Sequence, residues 1–287
     1  MQINPEYLQK FIADSLLEDI GEGDHSSLAC IPAEAKGVAK LLIKEDGILC
    51  GVDVAAKVFK YLEPECEITV HMQDGAQVKV GDVAFTLTAK VHTILSGERL
   101  ALNCMQRMSG IATQTHRIQK KITHTRSVVL DTRKTTPGIR QLEKYAVFCG
   151  GGQNHRMGLY DMIMLKDNHI DYAGGIEAGI NRVRQYLNDK KLKLAIEVEA
   201  RNLDEVKQIL SVEPLVDRIM LDNFIPEDIR LALELIANKA ETEASGGITS
   251  DNIVDYAETG VDFISVGALT HSVKGLDMSL KAKISEN

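Results

Sequence analysis

Arg133, Lys134, His155, Arg156 and Lys166 fall in one stretch of a chain that is otherwise acidic. From Arg126 to Lys166 there are seven Lys or Arg and three Asp or Glu, a local balance of +4, against −8 for all 287 residues. A guanidinium fork holds a carboxylate with two parallel hydrogen bonds, whereas an ammonium acts as a point charge on phosphate. A positive island in an acidic protein suits a small anion bearing several charges. It does not suit a nucleic-acid face, which would need a basic surface. Two carboxylates, Glu199 and Asp222, follow at spaced intervals. Carboxylates among so many cations either form ion pairs or bind Mg²⁺ or sugar hydroxyls. Glu197 lies two residues before Glu199 and shares its face of a strand.

The elements that must position these groups are readable in the hydrophobic rhythm. Val128-Val129-Leu130 predicts a buried strand, and it runs into Asp131-Thr132-Arg133-Lys134 and the turn Thr135-Thr136-Pro137-Gly138. A second loop, Gly150 to Arg156, follows one helix length later. Five more apolar runs with polar or glycine-rich ends come after it. They are Met162–Leu165 before Lys166, Leu194–Ile196 before Glu197-Val198-Glu199, and Ile219–Leu221 before Asp222. The last two are the run ending in Ala244-Ser245-Gly246-Gly247, and Phe263–Val266 before Gly267. Helical segments fill the gaps, so the series predicts a parallel sheet with right-handed crossovers. Six runs are too few for a closed eight-stranded barrel. Barrels of this kind keep their chemistry at the C-terminal ends of the strands, and the last two ends commonly bind phosphate through backbone N–H groups. Ser245, Gly246, Gly247 and Gly267 are the residues placed to do so. The chain has no P-loop, no His-Glu-x-x-His pair and no Gly-x-Ser-x-Gly elbow.

The first hundred or so residues read differently. Asn4-Pro5-Glu6 predicts a helix start, and the helix should run to about Asp19. Gly21 to His25 reads as a loop whose Asp24 and His25 serve capping and turns, with metal ligation as the alternative. Val38–Ile43 and Ile68–Met72 predict strands, Val52–Leu62 a helix, and Gln77–Leu87 a small structural sheet. The pattern turns helical from His92, breaks at Ser109-Gly110 and resumes over Ile111–Ile122. The domain boundary is expected there, giving an N-terminal domain over 1–112 and a barrel over 113–273, with the tail 274–287 returning to the first domain. No apolar run approaches the ~20 residues of a membrane span, and no signal peptide opens the chain. Five scattered cysteines fit reduced thiols in the cytoplasm.

DTRKTTPGIR, KYAVFCGGGQNHRMGL and LKDNH resemble the core of the quinolinate phosphoribosyltransferases, the decarboxylating type II phosphoribosyltransferase family. The resemblance extends from LLEDIGEGD near the start to VGALTHS near the end. It implies an open, seven-stranded α/β barrel beside a smaller N-terminal α+β sandwich domain. The implied reaction joins quinolinate and phosphoribosyl pyrophosphate, with Mg²⁺, to give nicotinate mononucleotide, pyrophosphate and carbon dioxide, a step of NAD biosynthesis. It puts Arg133, His155 and Arg156 near quinolinate, and Lys134 and Lys166 near the anionic groups of the substrates. Ser245, Gly246, Gly247 and Gly267 would hold the 5-phosphate, and Glu199 is the matched glutamate of Glu-Val-Glu. Arg99, in Glu98-Arg99, would enter the site of the neighbouring subunit in a homodimer with shared sites. Neither nucleic acid nor a membrane is an expected partner. Three other readings stay open: a transferase acting on another heteroaromatic acid, a Schiff-base aldolase using Lys134 or Lys166, and a metabolite sensor.

Overall fold

The computed structural model describes residues 1–283. Two compact units form: Met1–His116 with Thr135–Gly151 and the chain from Leu269 onward, and Arg117–Lys134 with Gly152–Ala268. By contact, Thr135–Gly151 therefore groups with the first unit, although it lies inside the segment 113–273.

In the first unit, helix α1 (Pro5–Ile20) starts where the Asn4 side chain accepts from the N–H groups of Glu6 and Tyr7, and it buries Leu8, Ile12 and Leu16. A short helix α2 (His25–Cys30) follows, in part of the region expected to be loop. Asp24 caps it, accepting from the Ser27 N–H at 3.1 Å and hydroxyl at 2.5 Å, and is spent in doing so. Strands β1 (Lys36–Ile43) and β2 (Gly47–Ile48), helix α3 (Val52–Leu62), and strands β3 (Glu67–Val70), β4 (Gln77–Val78) and β5 (Val83–Lys90) complete the early part. The main sheet is antiparallel and has the order β12-β1-β5-β3, where β12 (Met278–Lys283) comes from the end of the chain. Its register runs from Val38 opposite Lys283 to Ile43 opposite Met278. Of the tail 274–287, residues 284–287 lie outside the described residues.

Helix α4 (Val91–Lys121) is continuous, which overturns the expected break at Ser109-Gly110. The cause is tertiary. Ser109 Oγ accepts from the Cys50 N–H at 2.8 Å and donates to the Cys50 carbonyl at 3.0 Å. A Cβ at Gly110 would collide with the Lys274 carbonyl, so glycine is what lets that backbone cross the helix. The helix cost of glycine, about 1 kcal/mol, is thus accepted for a close approach.

In the second unit, strand β6 (Val128–Leu130) lies at one edge of a six-stranded parallel sheet of order β6-β11-β10-β9-β8-β7. Helix α5 (Arg140–Cys149), of the first unit, intervenes in sequence before β7 (Ile163–Leu165). Then come α6 (Asp167–Ala173), α7 (Ile176–Lys190), β8 (Ile196–Ala200), α8 (Leu203–Leu210), β9 (Arg218–Asp222) and α9 (Pro226–Ile236). Strand β10 (Glu241–Ser245), α10 (Ile253–Ala257) and β11 (Phe263–Ser265) finish the series, and α11 (Ala268–His271), which follows, belongs to the first unit from Leu269 on. Beyond β6, Gln153 adds a single parallel rung: its N–H donates to the Val129 carbonyl at 2.9 Å, and its carbonyl accepts from the Asp131 N–H at 3.2 Å. Six strands form the open α/β barrel, and this one-residue rung extends its β6 edge. Strand β8 lies later than the apolar run Leu194–Ile196 suggests, so Glu197 and Glu199 are inside the strand and not beyond it. Among the described residues, no helix is long and apolar enough to cross a membrane.

Arg107 explains why Thr135–Gly151 belongs with the first unit. From α4 its guanidinium donates to Glu143 of α5 at 2.7 Å, to the Thr270 carbonyl of α11 at 2.5 Å and to the Thr136 hydroxyl at 3.3 Å. Glu143 is fully buried, whereas Arg107 is partly exposed. Removing one partner of a buried pair strands the other charge, at a cost of about 3–5 kcal/mol. Solvent around Arg107 screens part of this, so Arg107→Ala should lower unfolding stability by about 3 kcal/mol. Urea denaturation measures it, and an unchanged midpoint would show that Glu143 does not depend on this partner.

Candidate active site

The site begins with Asp131, the fully buried residue that leaves β6. Its carboxylate accepts from the His155 N–H at 3.0 Å and the Asn154 side-chain amide at 2.5 Å. Together with the Gln153 rung, these bonds lay the Gln-Asn-His-Arg segment beside the Asp-Thr-Arg-Lys segment. Arg156 is buried, and its Nη1 donates to the Met162 carbonyl at 3.2 Å. Burial, and then the nearby Arg133 guanidinium, pull its pKa below the usual arginine value. Two guanidinium groups held close together form a receptor for anionic groups.

Lys166 follows β7 and is the N-cap of α6. Its N–H donates to His169 Nδ1 at 3.0 Å, and its Nζ pairs with Glu199 at 3.1 Å. Glu199 is buried near the end of β8. Asp222 ends β9 and accepts from the Asn223 amide at 2.7 Å. Ser245 ends β10, and the parallel pairing of β10 with β11 sets the loop with Gly246 and Gly247 beside the loop with Gly267. Gly246 has φ +97°, and a Cβ there would strike the Asn223 side chain. Eleven of the twelve candidates thus lie in the second unit, at or just beyond strand ends, or in the rung's loop. Arg99 does not: it is exposed on α4, in the first unit.

His155 is turned into the barrel. Its Nδ1 accepts from the Arg156 N–H at 2.7 Å, so the proton of the neutral ring sits on Nε2, 2.9 Å from Glu197. Glu243 of β10 is 3.5 Å from the same Nε2 and accepts from Ser265 Oγ. Arg218, at the start of β9, donates to Glu243 at 3.1 Å and lies 4.1 Å over the Phe263 ring. Burial pushes the Glu197 carboxyl above its ordinary range. Burial first, and then the Glu197 charge, push Glu243 up to about 7. Glu243 and Arg218 were absent from the sequence-derived set. The signal available was parity: Glu243 precedes Ser245 by two, as Glu197 precedes Glu199, and residues two apart face the same side.

Hard oxygen donors are what Mg²⁺ takes, and Glu199 and Asp222 supply them. Neither belongs to the two clusters of three possible ligands among the described residues, His155-Glu197-Glu243 and Cys50-Asp74-Cys149.

An open parallel α/β barrel whose strand ends gather guanidinium groups, a lysine–glutamate pair and a glycine turn defines an anion-handling barrel enzyme. Comparison with known proteins narrows this class. Residues 24–109 match the N-terminal domain, and residues 111–281 the C-terminal domain, of quinolinate phosphoribosyl transferase. A chloroplastic carboxylating nicotinate-nucleotide pyrophosphorylase of Arabidopsis thaliana is 44% identical over 97% of this chain and 84% of its own length. A decarboxylating quinolinate phosphoribosyltransferase of Nicotiana tabacum is 43% identical over 97% of this chain and 83% of its own. The solved nicotinate-nucleotide pyrophosphorylase of Francisella tularensis superposes with a TM-score of 0.92 at 39% identity, covering 98% of both chains. The chain belongs to the quinolinate phosphoribosyltransferase family.

The buried carboxyls set a pH dependence. Glu243 moves from an ordinary 4.5 to about 7 on folding. Its protonated form therefore stabilises the fold fully below the unfolded value, and this contribution is lost as pH rises through about 7. Glu243→Gln keeps a neutral side chain and should flatten the fall in stability between about pH 5 and about pH 8. Thermal unfolding of both proteins across that range decides it; parallel curves would mean that Glu243 does not titrate there.

Proposed function

We propose that this protein transfers the phosphoribosyl group of phosphoribosyl pyrophosphate to the ring nitrogen of quinolinate, with decarboxylation to nicotinate mononucleotide. The observations that carry the reading are the Lys166–Glu199 pair and the buried Arg156 guanidinium, held by the Met162 carbonyl just before β7. The ring nitrogen attacks ribose C1 as the bond to pyrophosphate breaks. The product is a pyridinium, which accepts the electron pair left when the 2-carboxylate departs as carbon dioxide. A proton then takes the place of that carboxylate. No covalent intermediate with the protein is required, so the residues act by position and charge.

We assign Arg133 and Arg156 to the quinolinate carboxylates, with His155 as the group that fixes Arg156 through its N–H. Lys134 and Lys166 face the anionic groups of the two substrates. Glu199 and Asp222 take the ribose hydroxyls and, when it is bound, Mg²⁺, which supplies charge neutralisation to pyrophosphate. Ser245, Gly246, Gly247 and Gly267 cradle the 5-phosphate. The Schiff-base alternative is disfavoured for Lys166, because its Nζ is held by Glu199 at 3.1 Å. Five free cysteines support a cytosolic setting.

Substrate choice tests the reading. Nicotinate lacks one carboxylate, and each charged hydrogen bond left unmade costs about 1.5–3 kcal/mol. Quinolinate should therefore exceed nicotinate in kcat/KM by at least about tenfold in the presence of phosphoribosyl pyrophosphate and Mg²⁺. Similar values for the two acids would favour a transferase for another heteroaromatic acid.

Arg99 extends the proposal to a two-fold dimer in which each subunit supplies this arginine to its partner. The reading is supported by its exposure on α4 and by the absence of an ion pair to it among the described residues. Arg99→Ala and Lys166→Ala should each be nearly inactive alone. In a mixed dimer one site carries both defects and the other carries neither. Random reassortment makes half the dimers mixed, so activity should recover to about a quarter of wild type. Subunit exchange under mild denaturant, confirmed with a size tag, followed by assay, checks this. Mixed dimers at parental activity would place Arg99 in its own subunit's chemistry or in folding.

A further inference from the structure

Two thiols that the transferase reaction does not use meet in the first unit. Cys50, between β2 and α3, is fully buried, whereas Cys149, the last residue of α5, is partly exposed. Their sulfurs and an Asp74 carboxylate oxygen lie within 4.8 Å of one another. Each backbone is anchored. Ser109 holds both the N–H and the carbonyl of Cys50. Gly150, next to Cys149, packs so closely on the Ala112 carbonyl that a Cβ would collide with it.

Asp74 is already committed. One of its oxygens accepts from the Val52 N–H at the start of α3 at 2.9 Å, and the other from the Tyr145 hydroxyl at 3.1 Å. This leaves two sulfurs within 4.8 Å of each other, beside a carboxylate whose two oxygens each already accept a hydrogen bond. The Cys50 thiol hydrogen-bonds to Cys149 and holds its pKa below the usual thiol value, while burial raises that of Cys50. The exposed member is thus the better nucleophile and the buried member its neighbour.

We propose that Cys50 and Cys149 form a dithiol–disulfide pair that responds to hydroperoxides. The Cys149 thiolate attacks a peroxide oxygen: an S–O bond forms, the O–O bond breaks, and water or an alcohol leaves. Cys50 then attacks the Cys149 sulfenic sulfur: an S–S bond forms, the S–O bond breaks, and a second water leaves. Two thiols lose two electrons and two protons, which reduce the hydroperoxide. An S–S bond of about 2.05 Å requires the side chains to turn toward each other. Cys149 lies six residues before His155, so closing the bond would pull on the end of α5 and on the glycine loop that follows it. The inference rests on the geometry of the thiols and is independent of the transferase reading.

The test uses the reduced full chain with one equivalent of hydrogen peroxide, a thiol count and non-reducing peptide mass spectrometry. The expected result is a loss of two of the five thiols, one linked peptide pair joining Cys50 to Cys149, and full reversal by dithiothreitol. In Cys50→Ser the Cys149 sulfenic acid should persist and be trapped by dimedone. Sulfinic Cys149 without a link in the native chain, a link through exposed Cys30, or zinc bound stoichiometrically at the two thiols as purified would each overturn the proposal. Mapping on the native chain decides the matter even if the variant fails to fold.

Discussion

The buried carboxylate of Asp131 is the constraint on which the rest of the site depends. A charge with no exposure must have its lone pairs filled, and Asp131 fills two of them from one segment, with the Asn154 amide and the His155 N–H. Hydrogen bonds to a charged group are worth about 1.5–3 kcal/mol each, so the attachment is strong for a loop. It converts two stretches separated by a helix into one edge of the barrel. The cations that follow Asp131 and those that follow Asn154 are thereby brought to the same place.

Beneath that edge the barrel interior is polar where a hydrocarbon filling is usual. Glu197, Glu243, His155 and Arg218 occupy it, each bonded to another. Such a network adds little net stability, because desolvating the charges cancels most of their attraction. What it adds is orientation. With Nδ1 committed to the Arg156 N–H and Nε2 to Glu197, the His155 ring has one tautomer and one direction. Arg156 inherits that order through its backbone.

The barrel's rhythm was readable because the strands alternate with helical segments, although β10, Glu-Thr-Glu-Ala-Ser, is itself mostly polar. The rung at Gln153 is a single residue and has no period to detect. Placement of Lys166, Asp222 and Ser245 at strand ends followed from the same rhythm, while their individual roles did not. Strand β8 was displaced because Glu197 and Glu199 look like an ending, whereas in the fold both are buried within the strand. The break expected in α4 failed for a complementary reason. Glycine and serine weaken a helix locally, but Ser109 serves Cys50 and Gly110 admits the Lys274 backbone, partners remote in sequence. The attachment of α5 to the first unit was hidden in the same way, since a buried Glu143 becomes intelligible only once Arg107 is opposite it.

The pairing of β12 with β1 has a consequence for how the protein is made. The sheet of the first unit is begun by residues 36–43 and closed by residues 278–283, so its edge strand leaves the ribosome after every strand of the barrel. The barrel strands, β6 to β11, are all synthesised in the interval. Domains generally fold in order of synthesis, N-terminal first. Here that order is inverted: the unit begun first is the one finished last, and during translation β1 waits with an open flank for a strand more than two hundred residues downstream.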